Sequence, residues 1–262
     1  MDNEIRIHYA THFLKLSLWY VKRIVNEEGI LFEDAVNARV NIYRNTDFYD
    51  GKHQPAWGHK DRDWERYLEG LEAIVIQGQG EDSEEEGLAY LWPRVHKKYH
   101  RPSVKGRPYE CWTFDDGEDY INIHIGNVYQ PESPLSEKYE QFMGTLLQLL
   151  KDTQERRPEV TEVRCGSWMN SAPPFQHMFP KSWHESARVS PRSSWGMGHW
   201  GQFMDRTGRF HVQNGKKLRE TGEFPYPSLG CRAPIGEIVG HLESVVRGQG
   251  SGIRDQGGVS ES

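Results

Sequence analysis

The sequence predicts an α+β fold: a helical N-terminal lobe packed with a small mixed β-sheet that contains one βαβ unit. Three observations predict it. Up to about residue 100, apolar residues recur at three- and four-residue steps, the period of a helix with one buried face. From about Arg101 the texture changes to short runs of alternating, β-branched and aromatic residues. Strand, long amphipathic helix and strand then follow one another between 118 and 166, a spacing that gives parallel strands joined by a right-handed crossover.

The first helix is expected over Ile5–Asn26, where Ile7, Leu14, Leu18, Val21 and Val25 form the stripe and Gly29 suits the left-handed position after its end. A second covers Glu33–Tyr43, with Ala35, Val36, Val40 and Tyr43 on one face. Residues 45–60 lack an apolar period and read as a loop. A third helix, Asp61–Ile76, carries Trp64, Tyr67, Leu68, Leu71 and Val75. The acidic segment Gln77–Glu86 reads as a turn with Ser83 as a helix cap, and the fourth helix, Glu85–His100, is expected to kink or restart at Pro93.

Tyr109–Phe114 and Glu118–Ile125 read as a hairpin turned by Asp115-Asp116-Gly117. A helix over Ser136–Arg156 leads to a strand at Val160–Gly166. Helical turns follow near Pro174–Phe179 and Lys181–Ala187, then a second hairpin from Met197–Met204 and Arg209–Val212, and a closing helix at Pro234–Val246. The organisation expected is a helical lobe over 1–101, an α+β lobe over 102–246 and a disordered Gly/Ser-rich tail over 247–262; one continuous domain uses the same elements.

Composition narrows the class. A formal charge of −6 and the absence of a basic stripe argue against a nucleic-acid partner; the clusters at 96–101 and 216–219 read as a solvated helix end and an exposed turn. Cys111, Cys165 and Cys231 form neither a disulfide framework nor a zinc pattern, so reduced thiols in a cytoplasmic setting are expected. The N-terminus lacks the basic start of a secretory signal, and no apolar run approaches the ~20 residues that span a bilayer. No phosphate loop or dinucleotide motif is present, so no cofactor is indicated.

The chemistry is expected where two parallel strands end. Ile121, Ile123 and Ile125 share one face and Tyr120, Asn122 and His124 the other, so one face packs on helices and the second lines something polar. Ligand crevices in open α/β sheets lie beyond the carboxyl ends of parallel strands, where His124, Asn127, Cys165, Ser167, Trp168 and Asn170 gather. A thiol beside an imidazole suggests Cys165 as nucleophile and His124 as base, with Ser167 as the substitute and the Gly166 and Ser167 amides as oxyanion donors. The competing role for Cys165 is a small buried hydrophobe. His199, Trp200 and Gln202 are expected as a wall for the ligand, and Arg188 as an anion clamp or a surface residue.

His8 and His12, one helical turn apart, permit a metal site, although the glutamate of an H-E-x-x-H motif is absent. The leading expectation is therefore a small-molecule enzyme of the group-transfer or hydrolysis type. The alternatives are a non-catalytic ligand- or protein-binding module and a metal-dependent helical lobe.

Overall fold

The apolar stripe of the first segment forms the helix Asn3–Glu28, which buries Phe13, Leu14, Leu18 and Val21 and stops before Gly29 at φ +67°. The computed structural model describes residues 3–40, 42–78, 82–99, 108–190 and 197–251, with the backbone alone at 96–99, 197 and 248–251. The chain divides into two compact units, Met1–Val104 with Pro191–Pro225, and Lys105–Ser190 with Tyr226–Ser262. No described helix is long and apolar enough to cross a membrane.

In the first unit the helix Arg62–Gln77 is started by Asp61, whose carboxylate accepts the amides of Asp63 and Trp64 at 3.1 and 3.0 Å. Its stripe buries Trp64, Leu68, Leu71 and Val75 in a core shared with the first helix. The helix Asp82–Tyr99 runs through Pro93 as one segment rather than restarting there. Ser83 lies inside it, buried, and its hydroxyl accepts a hydrogen bond from Lys22 Nζ at 3.1 Å instead of capping the end. Residues 79–81 of the acidic turn, the side chains of 96–101 and the tail 252–262 lie outside the described residues.

Two expectations fail in this unit, each because contacts with other elements override the local pattern. The helix expected over Glu33–Tyr43 is broken into a short α turn at Phe32–Asp34, a π segment at Ala35–Arg39 and a 3₁₀ turn at Ile42–Asn45. The buried Asn37 side chain accepts Trp64 Nε1 at 2.9 Å and the Arg39 carbonyl accepts Trp200 Nε1 at 2.8 Å, so polar groups of this segment serve neighbouring elements. The hairpin expected from 197 to 212 is instead a helical turn at Met197–Trp200, a 3₁₀ turn at Gly201–Phe203 and a single bridge between Met204 and Phe210. Trp200 and Phe203, three apart, are both buried, the spacing of a helical face and not of a strand. Residues 216–219, expected as an exposed turn, belong to the helix Val212–Thr221, with Leu218 buried and Arg219 paired through two bonds to Glu84.

The second unit is built on a five-stranded mixed sheet. Its strands are β1 (Trp112–Asp116), β2 (Tyr120–Ile125), β3 (Glu162–Ser167), β4 (Arg188–Val189) and β5 (Leu229–Pro234), in the spatial order β1-β2-β3-β5-β4. β1 and β2 form the expected antiparallel hairpin, and β2 and β3 run parallel, joined by the helix Tyr139–Arg156: the expected βαβ unit. β3–β5 and β4–β5 are antiparallel additions that the sequence did not suggest. The helices Tyr139–Arg156 and Ile235–Ser251 supply the core with Phe142, Leu146, Leu150, Ile238 and Leu242. The second helix continues beyond 246, so the disorder expected from Arg247 does not begin there.

Candidate functional site

Alternation along the strands gives the sheet two unlike faces. Ile121 and Ile123 of β2, Val163 and Cys165 of β3, and Cys231 and Ala233 of β5 are buried in the core. The residues between them point the other way: Asn122 and His124, Glu162, Arg164 and Gly166, Gly230 and Arg232. This second face stays polar and partly exposed, and it carries a cavity of about 370 Å³. Arg164, Arg188 and Arg232 surround the cavity, with Asn122 and Ser186 between them. Gly166 and Gly230 also line it; a Cβ at Gly166 would meet nothing within 4 Å, so open space stands over that position.

The three guanidinium groups are held differently. Arg164 Nε donates to Glu162 Oε1 at 2.5 Å, and its guanidinium carbon lies 3.6 Å from the centre of the Tyr120 ring. Arg232 Nε stands 3.8 Å from the other Glu162 oxygen, an ion-pair distance too long for a hydrogen bond. Arg188 donates only to the backbone carbonyls of Glu185 and Ala187, at 3.3 and 2.7 Å, and meets no carboxylate among the described residues. Two of the three cations thus share one carboxylate, Asp119 adds its charge near Arg164, and a positive excess remains among the described cavity-lining residues.

Of the residues expected to bind or act on the ligand, Asn122 and Cys165 border this cavity, and Cys165 is buried. The Cys165 thiol faces the core, where burial pushes it up to about 12; Cys231, directly opposite on β5, is pushed up to about 11 by the same cause. His124 is exposed on the opposite face, its Nε2 at 2.7 Å from Asp115 Oδ2. Thiol and imidazole are therefore not brought together: the β2–β3 register sets Cys165 level with Ile123, one position off His124, so the two side chains point to opposite faces.

The other expected ligand contacts serve the fold. Ser167 Oγ accepts the Met169 amide at 3.1 Å and caps the 3₁₀ turn Trp168–Ser171. Asn170 is buried; it donates to the carbonyls of Cys165 and Leu229 at 3.0 and 2.8 Å and accepts Trp183 Nε1 at 3.1 Å, so it ties the β3 exit to β5. Asn127 accepts the Tyr129 amide at 2.9 Å and donates to the Glu132 carbonyl at 3.1 Å. The half-buried Trp168 packs on Tyr226, with ring centres 5.6 Å apart. Ser186, which lines the cavity, donates to the Trp183 carbonyl at 2.7 Å and accepts the Arg232 amide at 2.8 Å.

His199, Trp200 and Gln202 belong to the helical unit, apart from the strand ends, and all three are buried there. Burial pushes His199 down to about 4, and its ring packs on Phe224 with centres 4.2 Å apart. The His8 and His12 rings lie 4.3 Å apart, and His12 Nδ1 stands 2.9 Å from the His8 carbonyl oxygen. Burial and the neighbouring His12 depress His8, and no group of three metal-binding side chains occurs among the described residues.

Sequence reasoning overlooked Arg164, Arg232 and Glu162 as functional residues. Their signal was the same alternation that set Asn122 and His124 apart from the isoleucines, but their convergence depends on the β3–β5 pairing. The chain matches no protein-family model, no curated protein and no solved structure.

Proposed function

We propose that this protein binds a small anionic molecule in the cavity on the open face of its sheet, as a ligand-binding module without covalent chemistry. The observation that carries the reading is the convergence of Arg164, Arg188 and Arg232 around one cavity that no carboxylate lines among the described residues, Glu162 pairing with only two of the three. A guanidinium presents a planar fork of donors that matches carboxylate and phosphate oxygens, and it stays charged at any physiological pH. The volume falls within the ~300–1,000 Å³ common for small-molecule sites. Cys165 faces the core, Ser167 caps a turn and Ser186 is engaged at both lone pair and proton, which speaks against a nucleophile at the cavity. The reading needs no cofactor, and three buried free thiols suit a reducing, cytoplasmic setting.

Sulfate tests it at constant ionic strength, by calorimetric titration of the wild type and of Arg188→Ala and Arg232→Ala. A charge-assisted hydrogen bond contributes about 1.5–3 kcal/mol, so each variant should bind at least about tenfold more weakly. Absence of binding to the wild type, or equal binding by all three proteins, would refute the reading.

One observation favours a second reading, an enzyme of the hydrolysis or group-transfer type. His124 is held by Asp115 on the same face as Asn122, an arrangement in which a carboxylate orients an imidazole base. On that reading His124→Ala abolishes turnover of an anionic ester while sulfate affinity is unchanged. On the binding reading no His124-dependent turnover exists to lose.

A further inference from the structure

We infer that the cavity is built for a doubly charged tetrahedral anion, of the phosphate-monoester type, and that Glu162 is a resident counter-anion holding its affinity in check; this rests on the anion-binding reading above. Glu162 projects from β3 onto the open face, and its two oxygens are divided between Arg164 at 2.5 Å and Arg232 at 3.8 Å. Arg164 is fixed twice, by that carboxylate and by the Tyr120 ring beneath its guanidinium. Among the described residues Arg232 meets a carboxylate only through the longer contact, and Arg188 meets none. The two loosely held guanidiniums are therefore the pair a ligand would engage, with Arg164 contributing field from its fixed place.

Charge then selects the ligand. Among the described residues three guanidiniums and no carboxylate line the cavity, with Glu162 paired to two of them and Asp119 acting on Arg164, so the lining carries a positive excess that a dianion meets better than a monoanion. A monoanionic carboxylate reaching Arg232 would largely repeat what Glu162 already offers there. A tetrahedral dianion has oxygens enough to bridge Arg188 and Arg232 together. Glu162 meanwhile repels any incoming anion, and the repulsion grows in proportion to the ligand's charge.

The experiment measures affinity for sulfate and for formate at fixed ionic strength, in the wild type, Glu162→Gln and Glu162→Ala. The wild type should bind sulfate at least about tenfold more tightly than formate. Both Glu162 variants should gain affinity: about tenfold for formate and, because the charge is doubled, about a hundredfold for sulfate. A carboxylate that merely positioned Arg164 would give the opposite sign, with weaker binding in Glu162→Ala. Equal wild-type affinities for the two anions, a loss of affinity in the variants or a gain independent of ligand charge would each overturn the inference. Sulfate binding that ignores Arg188→Ala and Arg232→Ala would instead defeat the underlying site assignment, so the two failures are distinguishable.

Discussion

The two faces of the five-stranded sheet are made by the same strands and have opposite chemistry. Val163 and Cys165 of β3 are buried among the residues of the helices Tyr139–Arg156 and Ile235–Ser251, while Glu162, Arg164 and Gly166 of the same strand border a polar cavity or its ion pairs. The contrast teaches that residue type alone is a poor guide to a site. Cysteine is the most reactive side chain on β3, yet the pleat sends it where no substrate can reach it. Arg164, unremarked in the sequence, is sent to the side that carries the cavity.

Chemical reactivity should show the largest difference between the faces. With its thiol buried and pushed up to about 12, native Cys165 holds far less thiolate than the unfolded chain at the same pH. Alkylation read site by site by mass spectrometry should be slower by at least about tenfold in the native protein. Ready modification of native Cys165 would break the assignment of its face.

Stability comes next. Ile121 is fully buried and Asn122 borders the cavity, one position along the same strand. Ile121→Ala should cost about 2–5 kcal/mol in chemical denaturation, whereas Asn122→Ala should stay within about 0.5 kcal/mol. Comparable losses at both sites would mean that the second face is not open. A smaller effect sharpens the picture at the strand exit. Asn170→Ala should cost about 1–3 kcal/mol by leaving the Trp183 indole N–H and two carbonyls without their partner, and it should leave sulfate affinity unchanged, because Asn170 does not border the cavity. A loss of sulfate binding with stability intact would return Asn170 to the ligand.

Much of this architecture is legible from the order of residues. The isoleucines at 121 and 123 against Asn122 and His124 announce a two-faced strand, and Asp115-Asp116-Gly117 announces the hairpin. The crossover helix between β2 and β3 carries its own apolar stripe. Legibility ends where an element is short or its buried residues are small. β5 reads Leu-Gly-Cys-Arg-Ala-Pro, and the side chains it buries, Cys231 and Ala233, give no strong apolar alternation. β4 is two residues long, below any periodic signal. Arg164, Arg188 and Arg232 are scattered along the chain and meet only because β3, β5 and β4 lie side by side. The site was hidden for the same reason as those strands. The helical turns at 197–203 escaped for a different one: Gly198 and Gly201 beside aromatic residues resemble a bulged strand until Trp200 and Phe203 are seen on one buried side.

The return of Pro191–Pro225 to the first unit has a consequence for biosynthesis. Trp200, Phe203 and Leu218 fill the core of the N-terminal helices, so a ribosome that has delivered only the first hundred residues has made a hydrophobic groove without its plug. Chains usually fold from the N-terminus as they emerge. Here the earliest helices must wait, exposed to solvent or sheltered by a chaperone, until the last quarter of translation. A fragment ending at residue 104 should accordingly be poorly soluble, and a synthetic peptide spanning 191–225 supplied in trans should rescue it.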